Sequence, residues 1–388
     1  MLNFKYSIPT EIFFGKGQIS SLPAELLRYG KRVLVVYGGG SIRRTGLYDT
    51  IAALLRGAGI SYWELGGVEP NPRIDSVRAG AAICKKESVD AVLAVGGGSS
   101  IDCAKAVAAA AEYDGDAWDL VLDAGKIKDV LPIAAVLTIA ATGSEMDRIA
   151  VISNPRTNQK LATSHEGLRP RFAVLDPVYT YTVPKRQTAS GTADIFSHVL
   201  ESYFVKTPGV FLQKRLCEAL LKTCLHFGTV ALNEPEDYDA RANLMWASSL
   251  AINDLIAYGT ERRWTVHPIE HVLSAHYDIT HGIGLAVLTP NWMRFVCKTP
   301  ENLPYFAEYG INVWALDGSL PAEQLAERSI RKTEGFFESL GLPKRLRDLG
   351  MPADLLEQMA GEAAHGGTVG GFQPLNRQDV LEILKMSY

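Results

Sequence analysis

Ala91-Val92-Leu93-Ala94-Val95-Gly96-Gly97-Gly98-Ser99-Ser100-Ile101-Asp102-Cys103-Ala104-Lys105 decides how this chain folds. Five consecutive apolar residues closed by glycine spell a strand buried on both faces, the habit of parallel sheets. Gly96, Gly97 and Gly98 then turn the chain into a helix. A backbone without side chains admits an anion, and a helix N-terminus offers it free N–H groups and a favourable dipole. Ser99, Asp102 and Lys105 fall on the opening turns. The spacing is not the GxGxxG fingerprint, so it is the position after a buried strand that marks this loop as a pyrophosphate cradle.

Outward from this loop the pattern recurs. Arg32–Tyr37 is a second apolar strand, ending in Gly38-Gly39-Gly40-Ser41-Ile42-Arg43-Arg44. That loop contains no carboxylate for a ribose 2′-hydroxyl but has a hydroxyl and two guanidinium groups, a composition that favours a 2′-phosphate and hence NADP(H) over NAD(H). Ile133–Ile139 is a third strand and runs into Ala140-Ala141-Thr142-Gly143-Ser144; Ala173–Pro177 is the last. Helical stretches at 47–57 and 75–86 lie between strands, and Phe4–Phe14 reads as an edge hairpin or meander. Alternating strands and helices predict a parallel sheet covered on both faces. After Pro184 the strand pattern gives way to amphipathic segments at about 186–204, 210–230, 236–256, 262–276, 284–297, 321–340 and 353–364. The expectation is an α/β domain over 1–183 and an all-helical domain over 184–388.

The 388 residues, 47% hydrophobic and 21% charged, suit a globular chain of two domains. A net charge of −4 gives no reason to expect nucleic acid or an anionic membrane surface. The N-terminal residues lack the apolar core of a secretory signal, and no apolar run spans a bilayer. The cysteines at 84, 103, 217, 224 and 297 form no framework spacing. They read as reduced thiols, which with the rest places the chain in the cytoplasm.

The helical half carries a second kind of chemistry. Asp194 and His198 are one helical turn apart and share a face. Of the eight histidines, four fall between 267 and 281. An unbroken helix would hold His267 and His281 about 21 Å apart, so the two can meet only if the chain turns, and Tyr277-Asp278-Ile279-Thr280 supplies the turn. One Asp and three His form an N/O ligand set suited to a single divalent ion, zinc or ferrous iron. His165, His226 and His365 lie outside any such context.

Taken with Phe14-Gly15-Lys16-Gly17, Tyr37–Ser41, Pro70-Asn71-Pro72, Ala141–Glu145 and Asp176-Pro177, these motifs resemble the iron-containing, or group III, alcohol dehydrogenase family along nearly the whole chain. The resemblance is greatest to its NADPH-dependent butanol dehydrogenase and aldehyde reductase branch. It implies a Rossmann-like dinucleotide-binding domain and a helical domain in the two-domain architecture of dehydroquinate synthase, with a cleft between them. It implies Asp194, His198, His267 and His281 as metal ligands, Gly96, Gly97, Gly98 and Ser99 on the pyrophosphate, and Asp102, Thr138 and Thr142 near the nicotinamide half. Gly38, Gly39, Gly40 and Ser41 resemble the first loop of NADP-using members, and Lys160 matches a lysine that approaches the adenosine phosphate there. His271 matches a non-ligand histidine near the substrate, suited to relaying a proton. Asp147-Arg148 and Arg262-Arg263 depart from the family pattern and bear on substrate preference.

The expected activity is therefore a metal-dependent, NADP(H)-linked interconversion of small aldehydes such as butanal with primary alcohols, with Trp264, Phe196 and Leu273 as candidate walls of the substrate site. A dehydroquinate-synthase-like lyase would need a dense Lys/Arg pocket and usually a Glu as first ligand, which Asp194 speaks against. A non-catalytic nucleotide-binding protein would not need the full ligand set. An N-terminal edge strand suits pairing between two copies, so a homodimer is expected.

Overall fold

The computed structural model describes all 388 residues. They separate into two compact units, one of Ser7–Val183 with Pro235–Asn253, the other of Met1–Tyr6, Pro184–Glu234 and Asp254–Tyr388. Val183/Pro184 is a break between them. Two segments differ from the contiguous division at 183/184. Met1–Tyr6 joins the helical unit because the Leu2 N–H donates to Gly259 and Phe4 and Tyr6 pack on Tyr258. Helix Tyr238–Ile252 joins the α/β unit because the Ser249 hydroxyl donates to buried Glu145. Gly143, at φ +64, also lies so near that an added Cβ would come within 2.3 Å of the Ser248 carbonyl oxygen.

The α/β unit holds a six-stranded sheet of β1 (Glu11–Phe14), β2 (Arg32–Tyr37), β3 (Ser61–Leu65), β4 (Ala91–Gly96), β5 (Ile133–Leu137) and β8 (Phe172–Leu175). All are parallel, in the order β1-β8-β5-β4-β2-β3. A separate antiparallel hairpin comprises β6 (Ile149–Asn154) and β7 (Gln159–Ser164). The apolar runs of the inner strands are buried on both faces, and their residues alternate between two cores. Leu34, Val36, Val92, Ala94, Ala135 and Ala173 face one, under helices Ile74–Glu87 and Gly98–Ala111. Val33, Val35, Leu93, Val95, Val136 and Val174 face the other, to which helix Leu47–Gly57 contributes Leu47, Ile51 and Leu55. The expected edge hairpin at Phe4–Phe14 is instead the single strand β1, paired with β8 in parallel.

Chain direction in this sheet makes a binding crevice. From β2 the chain crosses to β3 on one side; from β4 it crosses to β5 on the other. Right-handed crossovers in opposite directions send their helices to opposite faces, and the loops leaving β2 and β4 diverge. The carboxyl ends of β2 and β4 thus form the topological switch point where open α/β sheets hold ligands.

The helical unit is built from Lys185–Tyr203, Phe211–Asn233, Val266–Tyr277, His281–Val296, Leu303–Trp314, Ala322–Ser339, Leu356–Ala364 and Arg377–Ser387. Phe204, Trp292, Phe306, Tyr309 and Phe372 interlock in its core. No helix is long and apolar enough to cross a membrane.

Lys105 is fully buried, donates to the Asp147 carboxylate, and reaches the Ile149 carbonyl at 2.8 Å. It therefore braces the hairpin against helix Gly98–Ala111 and is not exposed at the glycine loop. Breaking one half of a buried pair leaves a charge without a partner, at a cost of about 3–5 kcal/mol, whereas replacing both halves with apolar groups is often neutral. Accordingly, Lys105→Met is expected to lower the stability measured by chemical denaturation by that amount, and Lys105→Met/Asp147→Leu to recover most of it.

Candidate metal and nucleotide sites

Helix Lys185–Tyr203 places Asp194, His198 and Glu201 along one buried stripe. Helix Val266–Tyr277 brings His267 and Glu270. It stops where expected: Asp278 takes a left-handed φ of 49°, and the next helix begins at His281. The reversal sets the His281 ring against that of His267, centroids 5.2 Å apart. The turn puts Gly282 against the first helix, where a Cβ would lie 2.0 Å from the Ser190 carbonyl oxygen. Only glycine fits there.

Asp194 Oδ1 is the focus. His198 Nδ1 lies 3.6 Å from it, and His267 Nε2 and His281 Nε2 each lie 3.8 Å away. Donor atoms of Asp194, His267 and His281 can all be taken within 4.8 Å of one another. The His198 ring stacks on His267 at 4.5 Å, outside that tightest group. Asp194 Oδ1, His198 Nδ1 and His267 Nε2 are buried with no hydrogen-bond partner. Unpartnered buried polar atoms are costly, and ligands of a tetrahedral ion with bonds near 2.1 Å sit about 3.4 Å apart. Both the chemistry and the spacing of these residues fit one divalent cation.

Two carboxylates that the motifs did not reveal orient the histidines. Glu201 Oε1 accepts from His267 Nδ1 at 2.5 Å and from the His267 N–H at 3.1 Å. Glu201 also accepts from the N–H groups of Thr265 and Val266, so one side chain both caps a helix and fixes a ring. Glu270 holds His281 Nδ1 and accepts from the Ser274 hydroxyl. With Nδ1 donating outward, Nε2 of each ring is left for an ion, the usual carboxylate–histidine–metal arrangement. The sequence signal was there: Glu201 is seven residues beyond Asp194, two turns along the same face, and Glu270 is three beyond His267.

The electrostatics follow. Burial raises Asp194 but the surrounding histidines outweigh it and hold the carboxyl at about 2. Burial pushes His198 down to about 4. For His267 burial acts in the same sense, but Glu201 and Asp194 reverse it and lift the ring to about 9. His271 is half-buried with its ring 5.5 Å from His281, and with Glu270 and His281 it forms a second cluster. Trp264 packs on His267 and His198 at 4.7 and 5.6 Å, and Arg262 lies over its ring while paired to Asp254. Phe196 and Leu273, expected as substrate walls, are fully buried core residues, Phe196 against Phe336 and Phe337.

In the α/β unit, Gly96, Gly97, Gly98, Ser99, Asp102, Thr138 and Thr142 come together. The Thr138 N–H donates to Gly96, and a Cβ on Gly98 would strike Thr142 Oγ1 at 2.3 Å. No side chain caps helix Gly98–Ala111, so its first N–H groups are open to an anion. Gly38, Gly39, Gly40 and Ser41 flank the same crevice. Ser100 stands between the two loops: its Oγ is 2.6 Å from the Cβ position of Gly96 and 3.7 Å from that of Gly38. Asp102 is engaged on both oxygens, by the Ser144 hydroxyl at 2.5 Å and the Val151 N–H at 3.0 Å, and burial pushes it up to about 6. Lys160 is buried on β7, its backbone paired with Ser153. The expected departures from the family pattern resolve into local pairs, Asp147 with Lys105 and Arg148 with Glu166. The first loop itself holds no carboxylate, but one from outside lies beside it: Glu64, on neighbouring β3, takes hydrogen bonds from Tyr37, Tyr48 and Arg43.

Residues 9–177 match the family model described as iron-containing alcohol dehydrogenase, and 188–388 the C-terminal model of the Fe-containing alcohol dehydrogenase family. The chain is 55% identical over 390 residues to NADH-dependent butanol dehydrogenase A of Clostridium acetobutylicum, covering 100% of both chains. It is 40% identical to the NADPH-dependent aldehyde reductase YqhD of Escherichia coli, over 90% of each. The crystal structure of NADH-dependent butanol dehydrogenase A from Thermotoga maritima superposes with a TM-score of 0.95 at 38% identity, covering 100% of this chain and 99% of that one.

Two expectations test the metal site without a turnover assay. Glu201→Gln and Glu270→Gln should each weaken metal affinity about 10–100-fold, read by competition with a chromophoric chelator; unchanged affinity would remove these carboxylates from the site. Loading the metal-free protein at pH 7.5 should release protons, that of His267 among them, because a ligating imidazole must be unprotonated. Calorimetry in buffers of different ionisation enthalpy measures the release, and the His267 share of it should fall away as the starting pH rises past about 9.

Proposed function

Because the chain belongs to the iron-containing alcohol dehydrogenase family, we propose that it is a metal-dependent, nicotinamide-linked alcohol dehydrogenase acting as an aldehyde reductase on small aldehydes such as butanal. The single observation that carries the reading is the set of unpartnered buried donors around Asp194 Oδ1. It is supported by the two glycine loops at the switch point of the parallel sheet.

When bound, the nicotinamide supplies hydride and a divalent ion, iron or zinc, supplies Lewis acidity toward the carbonyl. Asp194, His198, His267 and His281 hold the ion, and Glu201 and Glu270 keep Nε2 of His267 and His281 directed at it. Gly96–Ser99 and the open N–H groups of helix Gly98–Ala111 bind the pyrophosphate. Thr138 and Thr142 border the nicotinamide half, with Asp102 fixing the Thr142–Ser144 loop from beneath. His271, beside His281 yet outside the ligand group, delivers the proton that the product oxygen needs. Trp264, packed edge-on against His198 and tilted against His267, shields these rings from water and presents an apolar surface to an alkyl chain. Of the coenzymes, NADP(H) is favoured by Gly39, Ser41 and two guanidinium groups when the loop is taken alone; the pairing of Arg43 with Glu64 withdraws one of the two.

The test is oxidation of NADH and of NADPH with butanal, before and after chelation and after reconstitution with Fe(II) or Zn(II). Activity should be lost with the metal and regained with it. His267→Ala should abolish both bound metal and turnover. No coenzyme oxidation by the reconstituted protein, or full metal stoichiometry in His267→Ala, would refute the reading.

A further inference from the structure

The rim of the first glycine loop carries a charge arrangement that the loop's own composition conceals. In the sheet register Glu64 of β3 stands beside Val35 of β2, two residues before the strand ends at Tyr37 and the loop begins. Beyond Glu64 the chain stays on the loop, since Gly67 and Val68 donate their N–H groups to the carbonyls of Gly38 and Tyr37. Three donors converge on the Glu64 carboxylate. Tyr37 Oη donates to Oε2 at 2.7 Å, Arg43 donates to the same oxygen, and Tyr48 Oη donates to Oε1. Arg43 also donates to Tyr37 Oη at 2.6 Å and lies over the Tyr48 ring, 3.8 Å from its centroid. The guanidinium is therefore held on one side by an anion and on one face by an aromatic ring. Arg44, exposed at the end of the same short helix, makes no such pair.

We propose that Glu64, clamped by Tyr37 and Tyr48, selects the coenzyme by sequestering Arg43, so that the site prefers the adenosine ribose of NAD(H) with free hydroxyls over the 2′-phosphate of NADP(H). The proposal rests on the nicotinamide reading above. A 2′-phosphate brings about −1.5 to −2 charges. Here it meets a guanidinium already neutralised and a carboxylate fixed by two phenols. A ribose diol donates hydrogen bonds, and a carboxylate about twenty residues beyond a glycine loop is the group that accepts them in dinucleotide folds. Glu64 stands 24 positions after Gly40, at the end of the next strand of the same β-loop-helix-β unit. Both side chains are partly exposed, 32% for Glu64 and 48% for Arg43, so they can be changed without opening the core.

The experiment is equilibrium binding of NADH and of NADPH, read by the fluorescence of the reduced nicotinamide, on wild type, Glu64→Gln, Arg43→Ala and the double variant, with no aldehyde present. Wild type should bind NADH more tightly than NADPH. Glu64→Gln should raise NADPH affinity relative to NADH about two- to fivefold, the size of one released, partly exposed ion pair, and adding Arg43→Ala should cancel the gain. Arg43→Ala alone should leave the ratio near that of wild type. Tighter NADPH binding by wild type, an unchanged ratio in Glu64→Gln, or loss of NADPH binding in Arg43→Ala alone would each overturn the assignment while leaving the nicotinamide reading intact. Failure of wild type to bind either nucleotide would overturn both.

Discussion

A buried carboxylate oxygen without a hydrogen-bond donor is the constraint around which the helical unit is arranged. Asp194 Oδ1 is surrounded by imidazole nitrogens, none close enough to satisfy it. Two more carboxylates, Glu201 and Glu270, are buried within the same shell. Three anions gathered away from water are strongly unfavourable unless cations balance them. Arg262 lies near enough to offset part of this charge, and the lift of His267 to about 9 by Glu201 and Asp194 is a further response. A divalent ion does the same work with two charges and satisfies the unpartnered atoms together. The ligand set and its supporting carboxylates are thus one electrostatic unit, and removing any member leaves the others in a worse position than before.

Backbone packing sets how closely that unit can form. His281 reaches Asp194 only because Gly282 has no side chain where its helix meets Ser190. Gly284, two residues on, would carry a Cβ 2.7 Å from Glu270 Cγ, so a second glycine lets the carboxylate lie over the turn and hold His281. The reversal at Asp278 supplies the direction of approach, and the two glycines supply the distance. Sites assembled on rigid helices in this way hold their geometry better than sites on loops.

Much of this could be read from residues alone, and the exceptions have a common cause. The inner strands β2, β4, β5 and β8 are continuous apolar runs because both faces are covered, so their pattern is unmistakable. Edge strand β3, Ser61-Tyr62-Trp63-Glu64-Leu65, has no fully buried residue and carries no such run. Helix Leu303–Trp314 is rich in aromatic and β-branched residues and contains Gly310, a poor helix former by propensity; Phe306 and Tyr309 hold it through burial in the aromatic core. That Asp194, His198, His267 and His281 would gather was legible from the spacing of Asp194 and His198, the histidine cluster and the need for a turn. Glu201 and Glu270 share helix faces with Asp194 and His267, seven and three residues on, but that spacing alone does not distinguish a carboxylate that grips a ring from one in water until the rings are placed.

The same limit applies to Arg43. A guanidinium counts toward phosphate recognition only in so far as its charge is uncommitted, and that depends on its neighbours, not its identity. Ser41-Ile42-Arg43-Arg44 reads as a basic loop when taken alone. Parallel pairing brings β3 alongside β2, and with it a carboxylate 21 positions away in the chain that neutralises one of the two arginines. Coenzyme choice in a parallel sheet is therefore a property of two adjacent strand ends, not of one loop. The edge position of β3 leaves Glu64 partly exposed and replaceable at little cost to the fold, whereas the glycine loop at Gly96–Ser99 follows a strand in the middle of the sheet.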